Sequence, residues 1–236
     1  MLERQTPKES TALPFTLHQW FMASCSFSFT LLCARIIATG YITYAFLLWN
    51  LFLAFIPYAI SYWLYNNHRV VKNKLKLVSV ISAWLLFIPN SFYLLTDLFH
   101  LDEISSAPKW FDLLLLLSFA WNGLLFGIAS LRKMEVILHR INGKSFSVFI
   151  VFTVMWLNAF GIYIGRFLRY NSWDIITQPF SLFSEMLEIL LHPFKNKMEW
   201  GMISCYAVFM TLLYITIKKM AESFNPLNNH QIKLNK

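Results

Sequence analysis

"WFDLLLLLSFAWNGLLFGIASL", residues 110–131, carries a single formal charge, Asp112, in a run otherwise apolar enough to cross a bilayer. A membrane-crossing helix needs about 20 mostly apolar residues, because backbone amides inside hydrocarbon must find their partners within the helix. The span is placed at about 111–131, and five others resemble it, at about 17–38, 41–65, 75–96, 146–166 and 199–218. Together they consume most of the 236 residues and leave no room for a soluble domain of ordinary size. The expected fold is all-α: a polytopic transmembrane helical bundle of about six spans. Its expected divisions are a polar N-terminal segment (1–16), one membrane domain (17–218) and a polar tail (219–236).

Composition points the same way. Hydrophobic residues make up 57% of the chain and charged residues only 14%, against roughly 25% charged in soluble proteins. The charges are also sorted. Arg4, Lys8, Arg69, Lys72, Lys74, Lys76, Arg132, Lys133, Arg140, Lys144, Lys218, Lys219, Lys233 and Lys236, 14 of the 20 basic residues, fall on one side of a six-span alternation. Because Lys and Arg are retained on the cytoplasmic side of short loops, both termini are expected inside. The net charge of +8 then implies affinity for the headgroups of the lipid bilayer, and no nucleic-acid partner, which would require a basic soluble module. Protein partners are not legible. Cys25, Cys33 and Cys205 all lie in spans and are expected to pack there, not to form a disulfide framework.

Outside the spans, "QPFSLFSEMLEILLHP" (178–193) alternates apolar and polar residues at helical spacing and is too short to cross, so an outer interfacial helix is expected at about 179–192. Pro57 and Pro89 sit inside the second and third spans, where each removes a helix hydrogen bond. "GIYIG" (161–165) has the small-xxx-small spacing of close helix packing.

The polar residues within the spans are the candidates for function. "FIPNSFYLLTDLFH" (87–100) places Asn90, Tyr93, Asp97 and His100 on one helical stripe, at i, i+3, i+7 and i+10. Such a stripe is costly against lipid and is expected to face the bundle interior or water. Counted inward, Asn50, Asn90, Asn122 and Asn158 lie at similar depth, about 12 to 16 Å from the outer ends, and would form one amide layer. Asp97, His100, Asp112, Arg166, Arg169 and Asp174 would roof it, with Asn171 and Trp173 alongside. Ion pairs between Asp97 and Arg166 or between Asp112 and Arg169 would neutralise these charges without any ligand. Nothing comparable is expected in the cytoplasmic half. Asp97, His100 and Asp112 are also the candidate catalytic residues and the candidate ligands of a divalent metal, with Asp174 as a further oxygen. No cofactor-binding motif accompanies them, neither a Gly-rich phosphate loop nor H-E-x-x-H.

Four strings, "WNLFLAFIP" (49–57), "IPNSFYLLTDLFHL" (88–101), "WFDLLLLLSFAWNGLLFGIASL" (110–131) and "FGIYIGRFLRYNSWD" (160–174), resemble the bacterial integral membrane proteins grouped as domain-of-unknown-function family 1361. The resemblance covers about residues 30–217 and implies a multi-pass protein, here in the bacterial cytoplasmic membrane. It implies no activity and transfers no catalytic residue. Three functional readings follow from the residues. The first is an outward-facing pocket that binds or transports a small polar or anionic solute through Asn50, Asn90, Tyr93, Asn122, Asn158, Arg166, Arg169, Asn171, Trp173 and Asp174. The second is a membrane-embedded, metal-dependent enzyme acting on lipid-linked or envelope substrates, and the third an assembly or scaffold protein.

Overall fold

Apolar length alone sets the main elements. The computed structural model describes residues 16–102 and 107–224, apart from the side chains at 68 and 102. Its helices are α1 (Leu17–Thr39), α2 (Phe46–Asn66), α3 (His68–Lys72), α4 (Lys74–Tyr93), α5 (Lys109–Asn142), α6 (Lys144–Arg166), α7 (Asp174–Thr177), α8 (Pro179–Leu191) and α9 (Lys197–Ser223). A 3₁₀ segment, Leu94–Asp102, continues α4. Six helices are long and apolar enough to cross a membrane, with α4 and the 3₁₀ segment counted as one, and no strand occurs among the described residues. The chain is a polytopic helical membrane protein. The polar stretches 1–15 and 225–236, most of the expected terminal segments, lie outside the described residues.

The helix ends depart from expectation in three places. Gly40, at φ 72°, closes α1 by donating its N–H to the Ile36 carbonyl at 2.8 Å, so α2 begins at Phe46 instead of about 41. The basic string at 132–144, expected as a loop, is helical to Asn142, which makes α5 about 51 Å long, well beyond a hydrocarbon core of about 30 Å. Finally, the α geometry of the third span stops at Tyr93.

Helix α5 is the centre of the bundle, touching α1, α2, α4, α6 and the 3₁₀ segment. Small residues permit the approach. A Cβ on Gly123 would stand 2.6 Å from the Ser91 carbonyl oxygen, and one on Gly127 would stand 2.9 Å from the Phe92 ring. On α6, Gly161 and Gly165 lie against Pro89 and Tyr93 of α4, which is the close packing expected of "GIYIG". Hydroxyls from the neighbouring helices α4 and α5 bond to α2 carbonyls around Pro57. Ser91 Oγ donates to the Ala54 carbonyl (2.9 Å) and Ser130 Oγ to the Pro57 carbonyl (2.8 Å), while Trp84 Nε1 donates to Ser130 Oγ (2.8 Å). Around these contacts, Trp84, Phe92, Met155, Ile162 and Met210 form the main core, and Leu32, Leu47, Leu115 and Phe119 a second one.

The end of the bundle away from Asp97 is not bare of buried charge, which corrects the expected asymmetry. Glu135 accepts from Arg132 (2.6 Å), Tyr214 (2.5 Å) and Lys218, clamping α9 to α5.

Candidate functional site

Helix α4 packs between α2 and α6, and a groove of about 400 Å³ runs over its remaining face. Its floor is a single helical stripe, Ser82, Leu86, Pro89, Asn90 and Tyr93. The walls are Asn50 and Leu53 on α2 and Leu157, Gly161, Ile164 and Gly165 on α6. The two glycines act here too, since without side chains they leave the groove its width. One end is closed by Tyr170, Asn171, Ser172 and Ile175, together with Leu182 and Met186 of α8. Tyr170 Oη donates to Glu185 Oε1 (2.9 Å), which ties this loop to α8.

The lining is mostly apolar, and its polar members, Asn50, Ser82, Asn90, Tyr93, Tyr170, Asn171 and Ser172, are all uncharged. Four of the residues expected to bind ligand therefore meet here: Asn50, Asn90, Tyr93 and Asn171. Asn90 Nδ2 donates to Ser172 Oγ and to the Phe87 carbonyl, each at 3.0 Å. Trp173 lies outside the lining, its ring centroid 6.2 Å from that of Trp49.

Asp97 and His100 leave the stripe because the backbone changes period. A 3₁₀ helix repeats every three residues, so Asp97 and His100 eclipse one another behind the groove instead of extending the line of Asn90 and Tyr93. Asp97 is buried, at 1% exposure, and its Oδ2 accepts from Asn50 Nδ2 at 2.9 Å. Its Oδ1 faces Arg166 Nη1 at 3.6 Å, the ion pair expected from the sequence. The same Nη1 lies 2.9 Å from His100 Nε2. A guanidinium only donates, so in this contact Nε2 is the acceptor. Asn50 thus stands between the groove and a charge cluster that does not line it.

The other expected members are dispersed. Asp112 pairs with Arg35 of α1, not with Arg169. Arg35 was given no role from the sequence, although a lone cation near the end of a span demands an acid at equal depth. Tyr170 and Ser172 are also lining residues that sequence reasoning passed over; both sit inside the "RYNSWD" string, next to a residue that was chosen. The single amide layer does not form. Asn122 donates to Ser28 Oγ (2.9 Å) and the Ser24 carbonyl (3.3 Å) on α1, while Asn158 is fully buried on the core face of α6 with neither amide atom hydrogen-bonded among the described residues. Arg169, at φ 60°, is exposed. Asp174 caps a turn, accepting from the Asn171 amide (2.6 Å) and Thr177 Oγ1 (2.7 Å), and these bonds hold its carboxyl below the ordinary carboxylate range. Among the described residues no three His, Cys, Asp or Glu side chains converge on a point that would hold a metal, so Asp97, His100 and Asp112 do not assemble as a trio.

No curated protein and no solved structure matches the chain. The family model described as Protein of unknown function (DUF1361) matches residues 49–215, a range that holds every groove-lining residue, and the chain belongs to that family.

Proposed function

We propose that this membrane protein binds an amphiphile whose chain lies along the α4 groove and whose head is uncharged and rich in hydroxyls. The observation that carries this is the lining, apolar along its length with amides and hydroxyls but no formal charge. Small-molecule sites commonly have this form, an apolar cleft with a few placed polar groups. Asn50 and Asn90 each donate an amide N–H to the protein, and neither Oδ1 has a partner among the described residues, leaving two acceptors for hydroxyl donors. An anionic solute is disfavoured because Arg166 stands with Asp97 and His100 outside the lining. An acid-base enzyme is disfavoured at the groove itself, since no carboxylate or imidazole of the described residues lines it.

The proposed setting is the bacterial cytoplasmic membrane with both termini inside, supported by the 14 of 20 basic residues on one side of the alternation. The polar end of the groove then lies toward the outer leaflet, with α8 at the interface above it.

The test is fluorescence quenching in nanodiscs, with Trp49 and Trp173 as reporters near the polar end. A brominated alkyl glucoside should quench saturably in the parent and at least several-fold more weakly in Asn90→Leu. A response to a brominated alkyl phosphate as strong as that to the glucoside, and weakened equally by Asn90→Leu, overturns the neutral-head reading. Absence of saturation with either probe overturns the groove.

A further inference from the structure

We propose a second lipid site, separate from the groove: a cleft between the 3₁₀ segment and α9 that seats the acyl chain of an anionic phospholipid, with the Arg166 guanidinium on its phosphate. The cleft measures about 410 Å³ and is lined by Leu95, Leu98, Phe99, Cys205, Tyr206 and Phe209. Leu95 and Leu98 share a face by the three-residue repeat of the 3₁₀ helix, and Cys205 and Phe209 share one by the helical repeat of α9. Phe99 and Phe209 are about half exposed, at 55% and 49%, so the cleft opens sideways from the bundle at the level of a span.

Charge fixes the chemistry of the head. The Arg166 guanidinium carbon lies 5.4 Å from the Phe99 ring centroid, and Tyr206 is within electrostatic reach of the same charge, so the cation stands at the cleft. Of its nitrogens, Nη1 is engaged with His100 and Asp97, whereas Nε and Nη2 make no hydrogen bond among the described residues and neither is sealed in the interior. Those two nitrogens form the edge of the fork that takes two oxygens of a phosphate. A neutral zwitterionic lipid supplies the chain but adds a cation beside the phosphate, which Arg166 repels. The exposed Arg169, three residues on, adds a second positive charge near the end of α6 and increases the preference for net negative heads. The site does not depend on the groove and stands or falls separately from it.

Cys205 provides a native reporter, since its thiol lines the cleft and is exposed. Its alkylation by a lipid-soluble maleimide is followed by peptide mass spectrometry in nanodiscs of phosphatidylcholine alone or mixed with phosphatidylglycerol. Occupancy protects the thiol by a factor of one plus the ratio of lipid concentration to Kd, so phosphatidylglycerol at twice its Kd slows the reaction about threefold. That protection should vanish in Arg166→Gln and survive in part in Arg166→Lys. Glycerol phosphate, which has the head without the chain, should give none. Equal rates in the two membranes, or undiminished protection in Arg166→Gln, overturns the site. Leu98→Trp keeps the cation and fills the cleft, so it decides the matter if Arg166→Gln fails to fold. Its thiol should react at the same rate in both membranes, and persistent phosphatidylglycerol protection there overturns the proposal.

Discussion

Arg35 of α1 and Asp112 of α5 meet edge to edge, Nε to Oδ1 at 2.7 Å and Nη2 to Oδ2 at 3.2 Å, with both side chains closed to solvent. The guanidinium also lies 4.4 Å over the Tyr44 ring, and Tyr44 Oη donates to the His100 carbonyl at 3.1 Å. One ion pair thus joins the first span, the fourth span, the α1–α2 turn and the 3₁₀ segment.

Removing one member of that pair strands a buried charge, whereas removing both does not. Arg35→Met or Asp112→Leu alone should cost about 3–5 kcal/mol of stability. The double variant should recover most of the loss, read as thermal unfolding in detergent. Losses that simply add in the double variant would show that the pair is not the coupling element.

Gly161 is predicted to be intolerant and Gly201 tolerant. A Cβ at 161 would stand 2.8 Å from the Pro89 ring, which cannot rotate away, while a Cβ at 201 meets nothing within 4 Å. Gly161→Ala should therefore cost about 1–3 kcal/mol by overpacking and push α6 from α4, narrowing contact at the groove. Gly201→Ala should unfold at or slightly above the parent temperature, because Ala also favours the helix. Equal midpoints for the two variants would contradict the packing described.

Asn158 should be better replaced than kept for stability. Its amide is fully buried with neither polar atom hydrogen-bonded among the described residues, and a buried polar group without a partner costs about 1–3 kcal/mol. Asn158→Leu should raise the unfolding temperature. A fall instead would mean that the amide finds a partner, such as a buried water molecule, and that it stabilises the bundle.

The 171–177 turn should resist acid. Hydrogen bonds from the Asn171 amide and Thr177 hydroxyl hold the Asp174 carboxyl below its ordinary value, so its contribution is fully present above the unfolded carboxylate pKa of about 3.9 and is lost as pH falls through the lowered folded value. Hydrogen exchange at the Asn171 amide, corrected for intrinsic rate, should show protection holding down to about pH 4 and declining below it. Asp174→Asn should lack this decline. A loss of protection that begins well above pH 4 would contradict the lowered carboxyl.

Much of this protein is a local property of its chain. Whether a segment crosses depends on the summed transfer of some 20 consecutive side chains, so the six spans, the α8 connector and the GIYIG contact face could be read without knowing any neighbour. The individual polar residues were legible as well, because each is expensive in a span. Their partners were not. Which acid meets Arg35, and whether Asn122 joins Asn90 or α1, depends on how each helix is rotated and which helices adjoin, and those follow from packing summed over the whole bundle. The switch from α to 3₁₀ at Leu94 had the largest consequence. By changing the period from 3.6 to three, it left Asn90 and Tyr93 on the groove and turned Asp97 and His100 toward Arg166. Apolar length determined the membrane bundle, and side-chain rotation within the packed bundle decided which of its polar residues share a site.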